Sequence, residues 1–276
     1  MNPKSSRFFQ MTLASLGLAL AVACGGGDKD DDDDRPKSAA ARKDGEGAAA
    51  GGAAPAASAA GAMGAAVVSG KITFDGAVPV VEKIKMSSDA FCVKQHPTEM
   101  GKEELVVAAD KGLANVFLYV KEGIKGTYPP PAAPATIDQK GCTYTPHVFG
   151  LVAGQKLDIL NSDATLHNIH AFPEKNEPFN LGMPVQGMKY TKQFDKPEIM
   201  VKVKCDVHGW MLAWAGVVAH PFFAVSGTDG SYTIKDLPAG TYTIEAWHEK
   251  LGTQTQQVTV GDKETKSVAW TFKPAA

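Results

Sequence analysis

Cys205, His208 and Met211 stand at three-residue intervals in the stretch KVKCDVHGWML, Lys202 to Leu212. A thiolate, an imidazole and a thioether on one short turn are soft donors. With one further imidazole they would make a set of two imidazoles, one thiolate and a weak axial thioether, which suits copper. The missing ring is available upstream in NSDATLHNIHAF, where His167 and His170 are both candidates. Met183 and Met188 are further thioethers, for which loop packing is the expected role.

The elements that must position these donors are strands. In IMVKVKC, Ile199, Val201, Val203 and Cys205 share one face, and Lys202 and Lys204 take the other. That parity turns the Cys205 sulfur toward the core side at a strand's end, where His208 and Met211 can fold back over it. QKLDIL is a strand leading into the histidine segment. From Val67 onward the chain continues in short alternating runs, with a turn at Asp75-Gly76 and a hairpin about Asp110-Lys111-Gly112. Phe172 to Pro184, FPEKNEPFNLGMP, reads as a long loop. No long helical period is present, so the pattern predicts an all-β protein, sandwich or barrel.

Residues 130–221 resemble a cupredoxin, or type 1 blue-copper domain, of the amicyanin and plastocyanin group. The likeness rests on YTPHVFGLVAGQKLDILN, on the histidine-asparagine pair in LHNIHAF, and on the Cys-x-x-His-x-x-Met turn. Leu166, where relatives often carry proline, and Lys204, where an aromatic is common, depart from the family pattern. The resemblance implies a Greek-key β-sandwich or barrel holding one copper ion through His167, Cys205, His208 and, axially, Met211. It selects His167 over His170 because asparagine follows it. It gives Asn168 the task of tying the two ligand loops together, and it places His208 near the surface within an apolar docking patch of Val207, Gly209, Trp210 and Leu212. The implied activity is one-electron transport to and from redox partner proteins. Copper(I) handling that draws on Met183 and Met188, and a metal-free surface module, are the alternatives.

Residues 222–276 resemble the carboxypeptidase regulatory-like, or transthyretin-like, β-sandwich, through Thr228-Asp229-Gly230 and LPAGTYTIEAW. Tyr232 with Ile234, and Tyr242 with Ile244 and Ala246, alternate as buried strand residues should. Fifty residues is short for such a sandwich, and VVSGKITFDGAVP resembles its opening strand. Residues 67–129 are therefore expected to pair with 222–276 around the inserted cupredoxin; two consecutive domains are the simpler alternative.

Residues 1–24 have the charge, apolar run and small-residue ending of a secretory signal. LAVACGG resembles a bacterial lipobox, which implies lipidation of Cys24 and anchoring at the periplasm or cell surface; a soluble secreted product is the alternative. Residues 25–66, rich in alanine, glycine and aspartate, lack the apolar side chains to repay ordering and are expected to form a disordered tether, spanning about 35 Å as a flexible coil. Membrane contact would be through lipid alone. Four cysteines are present. With Cys24 lipidated and Cys205 on the candidate turn, Cys92 and Cys142 are expected to form a disulfide, worth roughly 4 kcal/mol in the chain-entropy account.

Among the 276 residues 21% are charged, for a net charge of −2, and no basic cluster suggests nucleic acid. Enzyme chemistry finds little support. The chain has no His-x-His pair, as a multicopper oxidase requires, and no second cysteine beside Cys205, as a binuclear centre requires. His96, His147, His220 and His248 lack a ligand partner in sequence and are expected to be structural; Trp210 and Trp214 are expected to pack around the site.

Overall fold

The computed structural model describes residues 59–274. The expected signal segment with Cys24, and most of the expected tether, lie outside the described residues. The fold takes in positions ahead of residue 67, however: the Gly61 amide donates to the Thr127 carbonyl at 2.7 Å and the Gly64 amide to the Asp236 carbonyl at 2.8 Å.

In chain order the elements are β1 (Ala66–Phe74), a short helix α1 (Ala90–Gln95), β2 (Phe117–Glu122), β3 (Ala135–Gln139), β4 (Tyr144–Thr145), β5 (Val148–Val152), β6 (Lys156–Asn161) and β7 (His167–Phe172). There follow β8 (Phe179–Met183), β9 (Lys189–Gln193), β10 (Glu198–Lys204), β11 (Leu212–Val218), β12 (Phe223–Val225) and β13 (Ser231–Leu237). The chain ends in β14 (Gly240–His248), β15 (Gly252–Val260), β16 (Thr265–Ser267) and β17 (Trp270–Phe272). The protein is all-β, and no described helix is long and apolar enough to cross a membrane.

Strands from both ends of the described chain build one sandwich. β1 pairs antiparallel with β13 and parallel with β16 and β17, while β2 pairs with β12 and β14 in a second sheet. Their inner faces bury Val68, Ile72, Leu118, Ile234, Ile244 and Trp270, as period-two alternation requires. The strands between build another sandwich, from the sheets β5-β11-β10-β7-β8 and β4-β3-β6-β9. Each sheet has two free ends, so of the two forms expected it is the sandwich, not the closed barrel, that forms. Leu157, Ile159, Phe194, Val201, Val203 and Ala215 fill its core.

Two details depart from the sequence pattern. Met200 adopts φ +66° at a bulge in β10, so Ile199 turns outward while Val201, Val203 and Cys205 remain inside. The stretch expected to be a loop after Phe172 contains β8, which ladders onto β7 with His167 opposite Met183. Its asparagine, glycine and proline content hid a strand whose pairing is main-chain.

The two sandwiches meet at a glycine pair. Gly216 of β11 lies opposite Gly150 of β5, and the Phe117 ring rests on both. A Cβ at Gly216 would fall 2.4 Å from that ring.

Candidate metal centre

The turn from Cys205 to Met211 closes the end of β10. The Met211 amide donates to the His208 carbonyl at 2.9 Å, and the Cys205 amide to the Met211 carbonyl at 3.3 Å. The His208 amide donates to the Cys205 sulfur at 3.3 Å. These main-chain bonds fold His208 and Met211 back over the cysteine. Met211 is buried in the same apolar core as Cys205. His167 opens β7, one strand away from β10 in the sheet, and is fully buried.

The donor atoms converge. His167 Nδ1 and His208 Nδ1 are 2.9 Å apart, and Cys205 Sγ is 3.9 Å from His208 Nδ1. All three donors lie within 4.8 Å of one another. An ion about 2 Å from each nitrogen and about 2.3 Å from a thiolate needs donors roughly 3–4 Å apart, so the residues fit a shared metal. The buried thioether of Met211 on the same turn makes the set soft, which suits copper.

Each imidazole turns its other nitrogen to a carboxylate. His167 Nε2 donates to Asp163 Oδ2 at 2.9 Å, and His208 Nε2 to Asp89 Oδ2 at 3.1 Å. A carboxylate only accepts, so both rings carry a proton on Nε2, and Nδ1 is the nitrogen each could offer a metal. Burial alone would lower His167, but Asp163 and Cys205 outweigh it and push its pKa up to about 9. Burial and the charge of His167 lower His208 despite Asp89. Burial would raise the Cys205 thiol, but His167 and the backbone around Asn168, Val207 and His208 hold it below its ordinary value. With its pKa raised to about 9, His167 is an imidazolium at neutral pH in the metal-free protein, and a metal would displace its Nδ1 proton.

The other sequence candidates are placed as follows. Asn168 Oδ1 accepts the Asp206 amide at 2.5 Å, joining β7 to the Cys205 turn. His170 lies on the outer side of β7, where Nδ1 meets Asp206 Oδ2 at 3.0 Å, away from the three donors. Met183 Sδ accepts from Gln139 Nε2 at 2.9 Å, and Met188 packs beside the core. Cys92 and Cys142 are joined as a disulfide. His96, His147 and His220 each hydrogen-bond a backbone carbonyl, and burial lowers the pKa of His248 to about 4. Trp210 packs against His208 with ring centres 4.9 Å apart and planes tilted by 43°, while Trp214 lies at the sandwich junction.

The expected exposure of His208 is wrong. The ring is only 2% exposed. A strap formed by residues 82–101, with α1 at its centre, covers its outer edge, and Cys92 Sγ comes within 3.9 Å of Nε2. Ile84, Met86 and the disulfide form a small core of their own there, against which Trp210 packs. The expected docking patch is thereby split: Trp210 is partly covered, and Val207 remains exposed, as does Leu166 beside His167. Sequence reasoning missed Asp163 and Asp89. Asp163 had a local signal, four residues before His167; Asp89 had none.

No protein-family model matches the chain, and no curated protein matches it. Among solved structures it is similar to a copper-containing nitrite reductase from Thermus scotoductus, at 23% identity and a TM-score of 0.29, over 36% of this chain. The chain spans a quarter of that reductase's length, 25%. A purple cupredoxin from Nitrosopumilus maritimus is 20% identical over 30% of this chain and 98% of its own, with a TM-score of 0.27. An amicyanin variant in its Cu(I) form is 19% identical over 32% of this chain and 90% of its own, also at 0.27.

Proposed function

We propose that this protein is a type 1 copper protein that carries single electrons between redox partner proteins. The observation that supports it is the convergence of His167 Nδ1, His208 Nδ1 and Cys205 Sγ, all buried, with both outer nitrogens tied to carboxylates. When bound, copper supplies a one-electron couple. The chain's own residues do the rest. Asp163 and Asp89 fix the ring tautomers, the 205–211 turn fixes the sulfur, and burial excludes water. Donors held in this way move little between oxidation states, which keeps electron exchange fast. Met211 would serve as the weak axial donor. The role is that of a carrier, not a catalyst. Partners would approach at Leu166 and Val207, the exposed apolar side chains next to His167 and His208. Export and a lipid anchor at Cys24 complete the proposal, placing the protein at the periplasm or cell surface.

A second reading is favoured by the covered His208 edge: a closed soft site also suits holding copper(I) for delivery. Copper titration of the full chain, read by optical absorption and EPR beside Cys205→Ser, separates the two. A carrier gives one copper per chain, an intense visible thiolate charge-transfer band that the serine variant lacks, and reversible reduction. Tight copper(I) binding without a stable copper(II) form supports holding instead, and no copper uptake refutes both.

A further inference from the structure

The strap over His208 brings a carboxylate to the metal centre from 119 positions away in the chain. Asp89 Oδ1 accepts the amides of Phe91 and Cys92 at 2.7 and 3.1 Å, capping α1. Oδ2 accepts the Thr165 hydroxyl at 2.9 Å and His208 Nε2 at 3.1 Å. Two oxygens thus meet four donors, which uses the full accepting capacity of a carboxylate. Helix α1 is only six residues long and could not hold this position alone. The Cys92–Cys142 bond fastens it, and Cys142 is in turn held by its amide on Asp163 Oδ2 at 2.7 Å. Asp163 is the carboxylate on His167. One disulfide therefore joins the supports of both candidate ligand rings.

Resting on the copper reading above, we propose that Asp89 is a positioning residue for the metal: acting through His208, it sets which nitrogen ligates and favours copper(II) over copper(I). The disulfide-tied strap holds it there. A carboxylate cannot donate, so His208 keeps its proton on Nε2 and presents the Nδ1 lone pair to the centre. A negative charge on the outer nitrogen also strengthens the ring as a donor, which benefits the more highly charged ion most. The His208 ring is buried and the Asp89 side chain is 20% exposed, so solvent reaches the carboxylate but not the ring, and the charge is only partly screened.

The test compares the full-length wild type with Asp89→Ser and Asp89→Asn. Serine still caps a helix, so that variant keeps α1 while removing the charge from His208. In Asp89→Asn, the amide group placed at Oδ2 would face a ring N–H that also donates, which favours the wrong tautomer. Two readouts are taken: histidine tautomers by nitrogen-15 NMR of the metal-free chain, and the midpoint potential of the copper form. The wild type is expected to hold His208 as the Nε2–H form, and both variants to show mixed or Nδ1–H forms. Copper(II) affinity relative to copper(I) should fall about tenfold in the variants, a rise of about 59 mV in potential. Unchanged tautomer and potential in a variant that binds copper would overturn the role of Asp89 alone. A wild type that binds no copper would overturn the copper reading, and this proposal with it.

Discussion

His147 carries a pH-dependent part of the fold's stability that can be isolated by one substitution. It sits between β4 and β5, and both ring nitrogens face acceptors: Nδ1 meets the Leu212 carbonyl at 2.9 Å and Nε2 meets the Glu249 carboxylate. Only an imidazolium satisfies both. Burial pushes the His147 pKa down, but the hydrogen bond and charge of Glu249, with Glu103 nearby, outweigh it and hold it above the ordinary value. The side chains of His147 and Glu249 are 4% and 6% exposed, so salt should screen the pair little. A raised folded-state pKa means the contribution is fully present below the unfolded value of about 6.5 and is lost as pH rises through the folded one. Across that interval the loss approaches about 1.4 kcal/mol per pH unit. In Glu249→Gln, one amide oxygen must serve both the His147 Nε2–H and the Trp214 Nε1–H, which now meets Glu249 Oε2 at 3.0 Å. A lost hydrogen bond to a charged group costs about 1.5–3 kcal/mol, or about 3–12 °C in Tm for a domain of this size. Thermal unfolding from pH 5.5 to 9 should show the wild type ahead at low pH and the two converging as pH rises. A constant gap across that range, or no gap at all, would refute the imidazolium account.

Two further substitutions probe the surroundings. Gly216→Ala should cost about 1–3 kcal/mol in unfolding free energy, because the new Cβ would overlap a Phe117 ring that Tyr119 and Phe223 hold in place; Gly216→Ala combined with Phe117→Leu should recover part of it. His170→Ala should leave copper stoichiometry and the visible band unchanged, whereas His167→Ala should abolish the band; equal loss in both would put the wrong ring in the ligand set.

The donors on the 205–211 turn were legible because their relation is local: three-residue spacing on one turn and the parity of β10 bring them together with little help from distant chain. Parity also bears on His170, since residues three apart on a strand take opposite faces, and its ring lies beside Asp206 on the outer side. The all-β class followed from alternation and turn residues. What the sequence hid is non-local or main-chain in origin. The Met200 bulge breaks the parity of β10 and turns Ile199 out. The β8 ladder runs through residues that read as loop. Phe117 finds its seat on Gly150 and Gly216, far along the chain, because both lack a side chain. Asp89 reaches His208 only because a strap folds across the end of the sandwich, and no spacing rule announces that.

The central claim is a single ion held by two imidazole nitrogens and one thiolate. Copper K-edge X-ray absorption of the reconstituted full-length protein tests it most directly. Two nitrogens near 2 Å and one short sulfur are expected around the copper, with the sulfur lost in Cys205→Ser and one imidazole lost in His167→Ala. A shell of nitrogen and oxygen alone in the wild type, or one that neither substitution changes, would contradict it.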